Sequence, residues 1–460
     1  MVILLKIVQV ILALSLLILF HELGHFTFAK LFKTRVEKFY LFFNPKFSLV
    51  RFKRFGGRWH CKFLSPNTDP EWEAHPDNTE YGIGWLPFGG YCKIAGMIDE
   101  SMDTEALKQP PQPYEFRTKP AWQRFFIMFG GVLFNFILAI ILYAAILGTW
   151  GEEYLRNDNA VYGIAVNDLS YEIGFRDGDR ILAFDGEPIE NFSNLQVDLV
   201  RSQAREATVL RDGDTLTVAI DPAYLPAMLN TPGMFDLAFP FVIKEVQPES
   251  PNINAGLEPD DAVVGIDGKP MFIVQQVQKE LGQHRGGQIT AAIRRAETEL
   301  EMPLQVDTAG HIGVMLDTDL TKYFDVTTRE YSFFPAIAAG ARKTWTTIKG
   351  YVQELGLIFS PKTQAYKSVG SFIAIGRIFP DTWDWYRFWS LCALLSIMLG
   401  VMNLLPIPAL DGGHILFLIF EMLTGRKPSD KFMTVAEWIG MALLLLLMVL
   451  AFGNDIRSLF

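Results

Sequence analysis

Four stretches of this chain are apolar along nearly their whole length and keep no polar face of the kind a surface helix shows. They are about Val2–Ala29, Arg124–Trp150, Arg387–Leu405 and Ala436–Phe452. Each approaches or exceeds the ~20 residues an α-helix needs to cross the hydrocarbon of a bilayer. The first holds an uncharged core, Ile7–Phe20, with no small-residue cleavage site after it, so it reads as a retained membrane helix, not a signal peptide. A different pattern follows the middle of the chain. Ile337, Ala341, Trp345, Ile348, Val352, Leu355 and Phe359 recur at helical spacing and predict an amphipathic helix starting just after Pro335, suited to lying on a membrane surface. Trp383, Trp385, Tyr386 and Trp389 then form an interfacial aromatic belt before the third apolar run.

Charge gives these segments an orientation. Lys30–Arg58 holds nine Lys or Arg against the single acid Glu37, and Arg426, Lys427 and Lys431 follow the third run. The positive-inside rule puts both connections in the cytoplasm, and so puts the termini and residues 150–385 outside. A net charge of −10 argues against nucleic acid as a partner, and a positive mean hydropathy of +0.19 argues against an ordinary soluble protein. Cys61, Cys92 and Cys392 form no disulfide framework, and His60-Cys61 lacks partners at metal-ligand spacing.

The external region repeats itself. Gly174-Phe175-Arg176-Asp177-Gly178-Asp179-Arg180-Ile181, followed by Asp185-Gly186-Glu187-Pro188, returns 82 residues later as Gly256 to Val263 and then Asp267-Gly268-Lys269-Pro270. Each copy has a Gly-rich turn, an apolar strand and an Asp-Gly hairpin turn, which implies two small, mainly β modules. Their shared pattern resembles the PDZ domains attached to bacterial membrane and periplasmic proteases. That resemblance implies a groove for an extended chain in each.

The candidate chemistry lies in the first apolar run, at His21-Glu22-Leu23-Gly24-His25. Residues i and i+4 share a helix face, so His21 and His25 can bind one metal, with Glu22 beside it as general base. Ionisable groups in a membrane helix are costly, which makes them functional candidates. Two histidines do not complete a catalytic zinc site, which takes a third protein ligand and leaves the fourth position open. Asp411 is the distal candidate, in Asn403-Leu404-Leu405-Pro406-Ile407-Pro408-Ala409-Leu410-Asp411-Gly412-Gly413-His414. It sits at the cytoplasmic end of the third run. His21 is about 13 Å along its helix from Lys30, so the two halves fall at similar depth. Pro406 and Pro408 must break the helix there, which a membrane tolerates where the break lines a watery cavity. His414 is a rival ligand, read as a residue that packs behind the metal.

HExxH in a first membrane helix, a distal N-x-x-P-x-P-x-L-D-G and tandem PDZ-like modules between spans two and three together resemble the site-2 protease family, in its bacterial branch. The resemblance covers almost the whole chain. It implies that His21, His25 and Asp411 bind Zn2+, that Glu22 activates water, and that Asn403 contacts substrate or orients it. It further implies cleavage inside the membrane segments of single-pass proteins such as anti-sigma factors or signal-peptide remnants, in a bacterial inner membrane. Tyr81–Ile94, with Gly84, Gly89 and Gly90, resembles the family's membrane-re-entrant β hairpin, whose exposed edge strand can hold an unwound substrate. Two departures from the family stand out: Gly131–Asn135 and Gly370-Ser371-Phe372 each lack an expected proline.

The expected fold is thus a polytopic α-helical membrane protein of about four spanning helices, with a membrane-associated β hairpin or sheet and two PDZ-like domains. The boundaries read as 1–30 for the first membrane helix, 31–118 for the β region and 119–150 for the second helix. The modules span 155–228 and 235–308, and a linker with the surface helix covers 309–382. The third and fourth membrane helices are 383–412 and 432–455. The competing reading is a non-proteolytic membrane adaptor with a structural zinc and peptide-binding modules. A zinc transporter fits less well, because the polar residues of the second span reduce to Asn135.

Overall fold

The computed structural model describes residues 2–97, 110–358 and 372–457. These divide into two compact units: Met1–Gly151, Glu330–Leu355 and Val369–Phe460 in one, Glu152–Arg329 and Gly356–Ser368 in the other, each so far as described.

The first unit opens with helix α1, Val2–Leu31, the whole first apolar run. Strands β1 (Val36–Phe43), β2 (Phe47–Phe55) and β3 (Arg58–Pro66), the single-turn helix α2 (Pro70–Glu73), and strands β4 (Glu80–Ile83) and β5 (Leu86–Ile94) follow. The strands form one sheet in the order β3-β2-β4-β1-β5. The re-entrant hairpin expected at Tyr81–Ile94 is therefore not a hairpin: β4 and β5 flank β1, one parallel and one antiparallel to it, and do not pair with each other. The hairpin of this sheet is β2–β3, closed by Gly56 and Gly57, both at positive φ. Helix α3, Ala121–Trp150, starts after Pro120 and stops at Gly151, whose φ of 72° a side chain would resist. Val132, in the stretch that lacks the proline, is fully buried within α3.

The second unit holds β6 (Glu152–Leu155), β7 (Ile164–Val166), α4 (Asp168–Ile173), β8 (Arg180–Phe184), β9 (Glu187–Pro188), α5 (Leu195–Ser202), β10 (Glu206–Arg211), β11 (Asp214–Ala219), α6 (Leu225–Asn230) and β12 (Phe235–Leu237). Then come β13 (Ile243–Val246), β14 (Ala262–Ile266), β15 (Lys269–Pro270), α7 (Val274–Leu281), β16 (Gln288–Arg295), β17 (Thr298–Gln305), β18 (Val314–Leu316), α8 (Leu320–Tyr323) and β19 (Val326–Arg329). The repeat in sequence is a repeat in topology: β11-β10-β8-β9 in the first copy and β17-β16-β14-β15 in the second. Each copy buries an aspartate under an arginine from the neighbouring strand of its sheet. Arg211 donates Nε and Nη2 to Asp179 at 2.7 Å, and Arg295 does the same to Asp261 at 2.7 Å. In each the aspartate also accepts a backbone N–H at 2.8 Å, from Arg176 or Glu258. Separate apolar cores, around Phe175, Ile181 and Val209 and around Ile266, Ile289 and Ile293, hold the two copies.

The chain returns to the first unit in α9 (Phe333–Ile358), then α10 (Phe372–Ile378), α11 (Trp385–Leu404), α12 (Asp411–Thr424) and α13 (Asp430–Arg457). Four helices, α1, α3, α11 and most of α13, are long and apolar enough to cross a membrane. Helix α3 is the hub, packed against α1, α11 and α12. On α9, Ala336 meets α3 at Gly148, and Gly340 meets the backbone of Ala144. The predicted apolar stripe is split: Ile337, Trp345 and Val352 are exposed and Leu355 is buried, while Phe359 lies outside the described residues, as do Gly370 and Ser371. The third membrane helix, expected over 383–412, is α11 alone, and a separate helix, α12, begins at Asp411. Asp384 caps α11 by accepting the N–H of Arg387, the prolines end it at Leu404, and Asp411 opens α12.

Candidate metal centre

His21 and His25 sit one turn apart in the C-terminal half of α1, on the face turned to α3 and α11. That face can approach α3 so closely only because the facing residues are glycines. A Cβ on Gly24 would meet the Gly130 carbonyl oxygen at 2.1 Å, and one on Gly131 would meet His25 Nε2 at 2.5 Å. Such small-residue contacts are how helices pack tightly in lipid. The Pro406–Leu410 turn brings Asp411 to the same place and is itself packed against glycine. A Cβ on Gly412 would strike the Leu405 carbonyl oxygen at 2.1 Å.

Three ligand atoms converge. His21 Nε2 lies 3.2 Å from His25 Nε2 and 3.2 Å from Asp411 Oδ2, and His25 Nε2 lies 3.4 Å from Asp411 Oδ2. A tetrahedral zinc with ~2.1 Å bonds holds its ligand atoms about 3.4 Å apart, so this triangle is the size the metal requires. Asp411 Oδ2 is buried and accepts no hydrogen bond, a state a carboxylate tolerates when a cation completes it. The other imidazole nitrogens are engaged elsewhere. His25 Nδ1 donates to the Ile127 carbonyl of α3 at 2.8 Å, which leaves Nε2 as the lone-pair atom. His21 Nδ1 meets the Asn135 side-chain amide at 3.1 Å. The amide atom placed there is Asn135 Nδ2, while Asn135 Oδ1 is buried without a partner; exchanging the two amide atoms gives Oδ1 a donor in Nδ1–H and turns the Nε2 lone pair to the metal. The residues present therefore fit zinc.

The other expected site residues are spread around this triangle. Glu22 neighbours both histidines and Asp411, and its carboxylate accepts the backbone N–H of Cys92 in β5. Gly90 and Gly89 lie in β5, an outer strand of the sheet, and Gly84 donates its N–H to Leu41 at 2.8 Å where β4 turns into β5. Asn403 occupies the last turn of α11 and is partly exposed. His414 turns to Glu437 of α13, with 3.5 Å between Nε2 and Oε1. Among the described residues no second cluster of metal ligands forms. His60 stacks on Phe55 instead, 3.9 Å between ring centres.

Sequence reasoning missed the work of Asn135, although it noted that residue as the polar one in its span. A lone amide in a membrane helix was the available signal. It also missed the buried Arg124–Glu421 ion pair, 2.5 Å, which ties α3 to α12 and so supports the helix that carries Asp411.

Comparison with known proteins agrees with this geometry. The profile of Peptidase family M50 matches residues 9–66 and 70–447. The regulator of sigma-E protease of Salmonella typhimurium is 28% identical over 98% of each chain. A protein of Ralstonia nicotianae named as a zinc metalloprotease is 28% identical over 99% of each, and one so named from Treponema pallidum is 27% identical over 99% of each. The chain belongs to peptidase family M50, the site-2 proteases, and is a zinc-dependent metalloprotease of the membrane.

Proposed function

We propose that this protein is an intramembrane endopeptidase that cuts the membrane segments of single-pass proteins, with His21, His25 and Asp411 as its zinc ligands and Glu22 as its general base. The observation that carries the reading is the triangle of ligand atoms with a bare carboxylate oxygen, built on helices long and apolar enough to span a bilayer. Bound zinc would polarise the scissile carbonyl and acidify a water. Glu22, held by the Cys92 N–H, takes the water's proton and returns it to the leaving nitrogen. Asn135 and the Ile127 carbonyl keep the imidazoles in the tautomer that leaves Nε2 free.

A peptide bond within a helix is shielded, so the substrate must be unwound first. Strand β5 offers backbone groups along an outer edge, and Glu22 touches the same strand. Asn403 would steady the substrate at the opposite wall. Anti-sigma factors and signal-peptide remnants are the substrate classes that fit a relative named as a regulator of sigma-E protease.

The two repeated modules are read as PDZ-like domains outside an inner membrane, with both termini on that side. There they exclude substrates with bulky outer domains. Charged substitutions at the buried Ile181 and Val263 should let substrates with intact outer domains be cut, while short ones stay cleavable. Loss of short-substrate cleavage in folded, zinc-loaded variants would reject the gate. The activity itself is tested by cleavage of a transmembrane peptide by wild type and Glu22→Gln: the variant should be inactive, and equal turnover would reject Glu22 as the base.

A further inference from the structure

Strands β1, β4 and β2 set three charges in one row: Lys38 pairs with Glu80, and Glu80 with Lys53. Partners across strands share a face, and this one turns away from α1. The other face carries Phe39 and Tyr81, which pack on Phe26 of α1. Helix α2 lies over the polar face. Arg51, 1% exposed, sits on the Trp72 ring of α2, and Lys53 Nζ donates to the Trp72 carbonyl at 2.8 Å. Helix and strands enclose a cavity of about 260 Å³, lined by Lys38, Arg51, Lys53, Asp69, Trp72 and Glu80 among others.

The polar groups around this cavity are unevenly matched. Glu80 Oε1 accepts from Tyr40 Oη at 2.5 Å and from Arg51 at 3.4 Å. Asp69 is met by Arg51 at 3.1 Å and by Lys62, and Glu37 by Arg35 at 3.3 Å and Lys93 at 3.6 Å. Glu73, the other lining acid, is exposed to solvent. The donors fare differently. Lys38 forms no ion pair among the described residues, and Trp72, 1% exposed, has an indole N–H with no acceptor. Burial holds the Lys53 ammonium below the ordinary lysine range, and Lys38 beside it adds to that against the pull of Glu80. A buried donor without an acceptor is costly, and crowded positive charge is costlier. A bound anion removes both penalties. The volume falls below the ~300 Å³ at which pockets for drug-sized ligands begin, so the anion is small.

We infer that this cavity is a binding site for a small soluble oxyanion, a phosphate or carboxylate compound, held by Lys38, Lys53 and the Trp72 indole N–H. Lys38 also pairs with Lys93 of β5, the residue after Cys92, whose N–H Glu22 accepts. The anion is thus one strand away from the backbone that holds Glu22. Binding there needs neither zinc nor a protein substrate.

Isothermal titration of inorganic phosphate, and separately of malonate, into the full zinc-loaded chain in uncharged detergent should give saturable heat with at least one of them. Lys38→Met should weaken that binding by about tenfold or more, and Lys38→Arg should restore it. Trp72→Phe keeps an aromatic ring but removes the N–H, and should weaken binding by about 3–10-fold. Lys244→Met, at an exposed lysine of the other unit, should change nothing. No saturable heat with either anion, or binding unchanged in both Lys38→Met and Trp72→Phe, would overturn the inference. So would displacement of the bound anion by phosphatidylglycerol added to the micelles, which would make the ligand a lipid headgroup.

Discussion

Asp411 on one side and Asp179 with Asp261 on the other are aspartates sunk in the same chain, and their surroundings are opposite. Asp179 and Asp261 are each saturated by a two-pronged arginine and a backbone N–H. Asp411 keeps Oδ2 without a donor, against two imidazole nitrogens. A buried carboxylate whose oxygens are all answered by the protein is a structural part; one left open among lone pairs awaits a cation. The same residue type thus forms a strut in one unit and, on the proposed function, a metal ligand in the other.

The sharpest way to break this contrast is through Glu22, which sits beside the open carboxylate without belonging to the triangle. Glu22→Gln should lower peptide cleavage by on the order of 10²–10⁴-fold while zinc content is retained. If zinc is lost as well, Glu22 is part of the binding set. On the structural side, Asp179→Ala strands Arg211 and should cost about 3 kcal/mol in the stability of its module, read by hydrogen exchange, with zinc content unchanged. Asn135→Ala should weaken zinc retention against a chelator by about 10–100-fold and leave both modules unaltered. An unchanged off-rate would make Asn135 a packing residue only.

The smallest effect is one of pH. Burial pushes the Asp261 carboxyl up, but Arg295 and the Glu258 N–H outweigh it and hold it below the usual aspartate range. A depressed folded value means stability present above the unfolded pKa and lost as pH falls through the folded one. The gap in melting temperature between wild type and Asp261→Asn should therefore be full near neutrality and narrow below about pH 4. A gap that does not change with pH would mean the arginine contact carries no charge-dependent part.

How much of this was legible in the sequence follows the same division. The apolar runs, HELGH and the Asp-Gly repeats are local patterns, and each corresponds to an element in place: α1, a histidine pair one turn apart with its Nε2 atoms 3.2 Å from each other, and turns at Asp185 and Asp267 with φ of 48° and 49°. The two arginines were not legible as partners, because Arg211 and Arg295 sit 32 and 34 residues after their aspartates. Strand pairing, not spacing, brings them there. Asn135 and Ile127 escaped for a similar reason. The meeting of α1 with α3 depends on the facing glycines at Gly24, Gly130 and Gly131, which a single chain displays only as interruptions in apolar runs. Within the β region expected over 31–118, the strand order β3-β2-β4-β1-β5 was not legible, because pairing between strands distant in the chain sets it.

The central claim is that the open carboxylate, not the saturated ones, holds the metal, and metal analysis tests it most directly. Zinc per purified chain should be stoichiometric in wild type and in Asp179→Asn, and should fall sharply in Asp411→Asn after brief dialysis against chelator. Zinc retained by Asp411→Asn as firmly as by wild type would contradict the account.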